Sequence, residues 1–286
     1  MIMDTIETLL TTAVNAAIGA GGEIMNVYDD PAQDFGIELK ADNSPLTKAD
    51  RRADAAIAAA LLPTGISILS EESAHAPYGE RRHWERMWIV DPLDGTKEFI
   101  KKNGDFTVNI ALAEGGTPVA GVIYVPATRE LYWGLRGRGA GKASKVGSDR
   151  RFADIGELAA ASAPLPVAGQ QRPFTVVASR SHLSDETRAF IDALRTFHPA
   201  MAMMSRGSSL KMCMVAEGLA DVYPRFAPTM EWDTAAGHAI ATAAGCEVVR
   251  ADDGTPLAYN KPDLHNPWFI VRRKDGHATT PYAHEL

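Results

Sequence analysis

The segment MWIVDPLDGTKEF, residues 87–99, sets the strictest condition on any fold this chain adopts. Met87 to Val90 read as a short buried strand. That strand runs straight into two acids, Asp91 and Asp94, spaced by Pro92 and Gly95 in a turn-forming sequence. Two carboxylates about 4 Å apart repel by roughly 4 kcal/mol at an effective dielectric of 20, so a fold that buries this end must supply protons or cations there. The design recurs in GISILSEES, residues 65–73, where a strand stops at Glu71 and Glu72. A third acidic point is Asp233 in EWDTAAG, residues 231–237, at the start of a helical run. Strand ends are where active sites are usually assembled.

Oxygen donors without histidine or cysteine select magnesium or manganese rather than zinc. After Asp94, Gly95 and Thr96 open the helix-like TKEFIKK, whose first N–H groups suit an anion and whose hydroxyl suits a water. Acids that hold a metal beside a phosphate cradle describe metal-assisted phosphoryl hydrolysis. Each piece has a plainer reading when taken alone. Asp233 serves as a helix cap, Asp91 and Asp94 as turn residues, and Glu71 and Glu72 as solvated loop acids. Their joint occurrence in one chain favours the site.

The rest of the chain reads as a large α/β protein. Apolar residues recur at helical spacing from Asp4 to about Tyr28, and an alanine-rich helix follows Thr47. FTVNIALAEGGTPVAGVIYVPATRELYWGLRGRG, from Phe106, reads as three antiparallel strands divided by GG, VP and RG turns. Residues 140–172 are rich in Gly, Ala, Ser and Pro and mark a boundary between two halves, drawn here as 1–155 and 156–286. Beyond it come a strand ending in SRSH (179–182), a helix capped by Ser184, a helix closing near Gly218, and a helix from EWDTAAG that stops at Gly245. Cys213 and Cys246 stand in apolar contexts and read as reduced core thiols.

The formal charge of −7 excludes the basic face that a nucleic-acid polymer requires, and leaves a small anion as the partner if metal ions neutralise it. No run of 18 apolar residues occurs and the N-terminus is acidic, so the expected location is the cytoplasm, or the inner face of the cell membrane as a peripheral protein. GLRGRGAGKAS fails the phosphate-loop pattern because Arg136 and Ala143 stand at the wrong places. His238, inside AAGHAIA, reads as packing.

SEES at 70–73, DPLDGT at 91–96 and EWDTAAG at 231–237, in this order, resemble the three signatures of the inositol monophosphatase superfamily. The chain departs from the usual inositol phosphatase spellings DPIDGTTNF and CWDVAAG, and is most similar to the superfamily's 3'(2'),5'-bisphosphate nucleotidase branch. That resemblance implies a five-layer α/β/α/β/α sandwich. It implies two or three Mg2+ ions, with Mn2+ an alternative, held by Glu71, Asp91, the Leu93 carbonyl, Asp94 and Asp233. Asp50, in LTKAD, would pair with Thr96 to orient the attacking water, with Glu72 behind Glu71. The threonine spacing also fits a simple helix cap for Asp50. Asp94, Gly95, Thr96, Glu71, Leu93 and Asp233 would face the substrate. His182, Ser208, Lys211 and Arg225 would take the second phosphate and the nucleotide.

The activity so implied removes the 3'-phosphate of adenosine 3',5'-bisphosphate (PAP), acts also on its sulfated form (PAPS), and is inhibited by lithium. A monomer or homodimer acting on a small phosphorylated nucleotide is expected. Rival readings are an inositol or sugar monophosphatase, a catalytically idle metal- and nucleotide-binding regulator, and an acid-rich interaction domain.

Overall fold

The computed structural model describes residues 4–32, 34–167, 171–178 and 183–274. Helix α1 (Ile6–Tyr28) begins where the Thr5 hydroxyl accepts from the Thr8 N–H. It packs along α2 (Lys48–Leu61), and the link between them contains a two-residue hairpin, β1 (Glu38–Leu39) and β2 (Pro45–Leu46). The expected capping pattern at α2 is present: the Thr47 N–H donates to Asp50 Oδ2 at 2.7 Å while the Thr47 hydroxyl accepts from Ala49 N.

A seven-stranded sheet follows. Its strands are β3 (Ser67–Ser70), β4 (Arg86–Asp94), β5 (Thr107–Glu114), β6 (Thr117–Val125), β7 (Glu130–Leu135), β8 (Gly139–Ala143) and β9 (Ser162–Leu165), lying side by side in chain order. Only β3 and β4 pair in parallel. The one-turn helix α3 (Tyr78–Arg81) joins those two, α4 (Thr96–Ile100) follows β4, and α5 (Ile155–Ala160) precedes β9. The meander therefore has more strands than the three read from sequence. Its last strand lies past residue 155.

The second sheet has the order β11-β10-β12-β14-β13. It comprises β10 (Thr175–Ala178), β11 (Ala202–Ser205), β12 (Val222–Arg225), β13 (Cys246–Arg250) and β14 (Phe269–Arg273), of which the sequence did not announce β11 or β14. Its helices are α6 (Asp185–Phe197), capped by Ser184 as expected, α7 (Leu210–Glu217), closed by Gly218 at φ +87°, and α8 (Glu231–Ala243).

The apolar residues sort into layers. One cluster joins α1 and α2 to one face of the large sheet through residues such as Leu10, Ile18, Ile57, Trp88 and Val108. A second fills the space between the two sheets, where α7 and α8 lie, with Met87, Ile89, Ile123, Met212, Ala236 and Val271. A third packs α6 on the outer face of the second sheet. The order helix, sheet, helix, sheet, helix is the expected five-layer sandwich. Cys213 and Cys246 are buried in its middle and form no disulfide, as expected of reduced core thiols. Among the described residues no helix is long and apolar enough to cross a membrane.

Two close approaches seat α8. A Cβ built on Gly121 of β6 would lie 2.6 Å from the Ala236 carbonyl oxygen, and one on Gly134 of β7 would lie 2.6 Å from Ile240 Cα. The helix backbone therefore rests directly on bare strand. That contact decides where the first turn of α8 can stand.

Candidate active site

Strand β4 does not end at Asp91. It continues through Pro92 and Leu93 to Asp94, pairing Asp91 with Asn109 and Asp94 with Thr107 across an irregularity in register. The expected turn is thus a bulge in a paired strand, which swings successive acids to one side. Asp91 is buried, and its Oδ1 accepts from the Leu93 N–H at 3.1 Å. Gly95 takes φ +93°, and a Cβ there would lie 2.3 Å from Ser208 Oγ, so glycine is required on both counts.

Glu71, at the end of β3, Asp91 and Asp233 place carboxylate oxygens within 4.8 Å of one another. Asp233 is inside the first turn of α8, which begins two residues earlier, at Glu231. There its Oδ2 accepts from Met230 N at 2.8 Å. The acid is held by the turn it helps close. Asp94 shares a pocket with Asp233. Its Oδ2 accepts from Ser209 N at 2.6 Å and from Asn109 Nδ2 at 3.4 Å.

The electrostatics follow from crowding. Burial, then the charges of Glu71, Asp94 and Asp233, push the Asp91 carboxyl well above the ordinary carboxylate range. Burial lifts Asp233 to about 8, with the Asp94 charge next in effect. Asp94 is lifted to about 6 by burial, against the opposing pull of Lys211 and the Ser209 N–H. Three carboxylates meeting at one point, with no nitrogen or sulfur donor among them, form a donor set that fits a hard divalent cation. Gathering them raises the affinity for any cation able to relieve the repulsion.

Asp50 and Thr96 come together as expected. The Thr96 hydroxyl donates to Asp50 Oδ1 at 3.2 Å, with the Leu93 carbonyl 3.4 Å away as a second acceptor. Asp50 is buried, and burial raises its carboxyl despite the opposing bonds from Thr47. Asp50 thus serves two contacts: one oxygen caps α2 and the other accepts from Thr96.

Lys40, which the sequence did not single out, stands beside this group. Its Nζ donates to Glu71 Oε1 and to Glu72 Oε1, each at 2.7 Å. Burial acts to lower the lysine, yet the two glutamates outweigh it and hold its pKa above the usual value. Glu72 is pushed to about 7 by burial, with Lys40 opposing. No local pattern announced Lys40, because it lies in a polar hairpin and meets its partners only through the tertiary fold.

Ser208, Lys211 and Arg225 line the same pocket as Asp94, Gly95 and Asp233. Their side chains are already engaged to different degrees. The Ser208 hydroxyl has the carbonyls of Asp94 (3.0 Å) and Asp105 (2.5 Å) as acceptors. Lys211 is buried, donates to the carbonyls of Ser208 (2.7 Å) and Arg206 (3.2 Å), and lies over the Tyr223 ring. Burial lowers it to about 8, against Asp94. Arg225 donates from Nη2 to the Pro228 carbonyl, while its buried Nε has no partner among the described residues. His182 lies outside the described residues, as does the rest of SRSH. His238 is buried against Tyr259 with Nδ1 3.1 Å from the phenol oxygen, in line with a packing role.

Comparison with known proteins agrees with this geometry. The sequence profile of the inositol monophosphatase family matches residues 5–286. The chain is 45% identical to the 3'(2'),5'-bisphosphate nucleotidase CysQ of Salmonella typhimurium, over 92% of this chain and 99% of that protein. Identity to the CysQ nucleotidase of Escherichia coli K12 is 42% over the same shares. Among solved structures, CysQ from Bacteroides thetaiotaomicron, a bacterial member of the inositol monophosphatase family, is 53% identical. It superposes with a TM-score of 0.87, covering 94% of this chain and 98% of that one.

Proposed function

The chain belongs to the inositol monophosphatase family, and from that premise we propose that it is a metal-dependent 3'(2'),5'-bisphosphate nucleotidase. In this reading it converts PAP to AMP and phosphate, and acts also on PAPS. The observation that carries it is the meeting of Glu71, Asp91 and Asp233 beside Asp94 and the Asp50–Thr96 pair. The names of relatives that match nearly their whole length support the choice of substrate.

Glu71, Asp91, the Leu93 carbonyl, Asp94 and Asp233 would hold two or three Mg2+ ions, with Mn2+ able to substitute. When bound, the ions supply Lewis acidity and neutralise phosphoryl charge. The protein's own groups do the positioning. Thr96, its proton committed to Asp50, accepts a hydrogen bond from the attacking water and aims it at phosphorus. The water oxygen forms the new P–O bond as the P–O3' bond breaks; the ribose 3'-oxygen leaves with that bond's electron pair and takes up the proton that the water gives up. Glu72, with Lys40, holds Glu71 in place. The unpartnered Arg225 Nε and the charge of Lys211 support a second phosphate in the pocket, with Ser208 shaping its floor.

The division into two halves belongs to the same proposal, supported by the change of sheet between Leu165 and Thr175. So does a cytoplasmic setting. The deciding experiment is phosphate release from PAP with and without Mg2+, comparing the wild type with Asp94→Asn. Mg2+-dependent release that the substitution abolishes is expected. Equal release by both proteins removes the mechanism, and a preference for inositol monophosphate over PAP removes the substrate.

A further inference from the structure

The pocket that contains Asp94 and Asp233 is also lined by Glu98, an acid with no part in the metal cluster. Glu98 sits half-buried on α4, and its carboxylate makes no hydrogen bond or ion pair with any described residue. Its stem is nevertheless packed against the chain. A Cβ added at Gly207 would lie 3.0 Å from Glu98 Cγ and 2.9 Å from the Asp105 carbonyl, so the glutamate stem lies against bare backbone. Lys211, in the same wall, is close enough for the two charges to interact.

An unpartnered carboxylate opposes anions in a pocket whose cations, Lys211 and Arg225, favour them. A buried or half-buried acceptor is stable in such a place when the ligand brings it an uncharged donor. We propose that Glu98 is a specificity residue that accepts a hydrogen bond from the nucleoside part of the substrate. The donor is a ribose hydroxyl or the amino group of the base. The inference rests on the nucleotidase reading, and assigns the part of that substrate which the metal ligands and pocket cations leave unread. Glu98 thereby separates nucleoside bisphosphates from other doubly phosphorylated compounds, because its charge penalises a phosphate where a neutral donor belongs.

The test is steady-state kinetics on PAP, its 2'-deoxy analogue and its inosine analogue, with wild type, Glu98→Ala and Glu98→Gln. A hydrogen bond to a charged acceptor corresponds to about tenfold to a hundredfold in kcat/KM. The wild type should lose that factor, chiefly through KM, on the 2'-deoxy analogue if ribose is the donor, and on inosine bisphosphate if the base amine is. Glu98→Ala should lose it on PAP itself and no longer distinguish the analogues, with Glu98→Gln between the two. Unchanged thermal midpoints would show that the variants fold. Gly207→Ala, which crowds the glutamate stem, should erode the same discrimination. A wild type that treats all three substrates alike, or a Glu98→Ala variant that keeps the wild-type preference, overturns the assignment of Glu98 alone. Absence of phosphate release from PAP by the wild type overturns the nucleotidase reading and this inference with it.

Discussion

Thr96 shows how far one residue's role can be read before and after folding. Its place after DPLDG marks it as a hydroxyl near the acids, but only the 3.2 Å bond to Asp50 shows that its proton is already donated. A threonine so committed acts on water as an acceptor. Thr96→Val should therefore lower kcat by about a hundredfold, the size of a lost proton-positioning contact, with metal affinity and thermal midpoint unchanged. Kinetics combined with Mg2+ titration check this, and a large loss of metal affinity instead would make Thr96 part of the ion site. The acids themselves were legible because each closes a strand or opens a helix. Lys40 was not, since nothing in ELKADNS distinguishes it from a solvated lysine until Glu71 and Glu72 are brought to it. Lys211 was legible as a cation on a helix face. Its burial under two carbonyls was not, because helical spacing says nothing of what covers a face.

At the scale of elements, periodicity found the longer helices and the first strands of the meander, and misjudged β4. Pro92 and Gly95 signal a turn, yet pairing with β5 carries the strand through both acids. Tertiary pairing overrode local preference there. The seat of α8 is the complementary case. Gly121 and Gly134 look like weak points in strands, and their purpose appears only when Ala236 and Ile240 are found against them. Gly134→Ala should push α8 outward, at about 1–3 kcal/mol of stability. Because Asp233 rides on the first turn of that helix, the same variant should weaken divalent binding. Gly115→Ala provides the contrast: its Cβ would meet nothing within 4 Å, though φ is +53°. It should cost about 1–2 kcal/mol through backbone strain and leave metal affinity alone. Urea unfolding with and without Mg2+ measures both terms. Equal metal affinity in the wild type and Gly134→Ala would show that the position of α8 does not govern Asp233.

Across the whole molecule, the acids donated by β3, β4 and α8 link folding to pH. Fold class and layer order followed from the three signatures taken together. The distance between their carboxylates did not, since it depends on how two sheets close on α8. That closure has a thermodynamic consequence. Asp94 and Asp233 hold protons up to about 6 and about 8 in the folded chain, whereas their ordinary value is 3.8. Between those limits the folded state binds more protons than the unfolded state. The protonated acids thus contribute stability that is fully present below the ordinary value and is lost as pH rises through about 6 and then about 8. In a chelator, the thermal midpoint should fall between about pH 5 and about pH 8.5. Divalent ions compete with those protons, so they bind better as pH rises and should reverse the fall. At a hundred times its dissociation constant, Mg2+ would restore about 2.7 kcal/mol, some 4–5 °C in a protein of this size. The gain should be larger at about pH 8 than at about pH 6. Scanning calorimetry across pH, with chelator and with Mg2+, provides the check. A midpoint that rises with pH in chelator would mean that burial and mutual repulsion do not hold the converging carboxylates protonated. Asp94→Asn, which removes one titrating member, should flatten the slope and shrink the Mg2+ gain together, because both arise from the same crowding of charge.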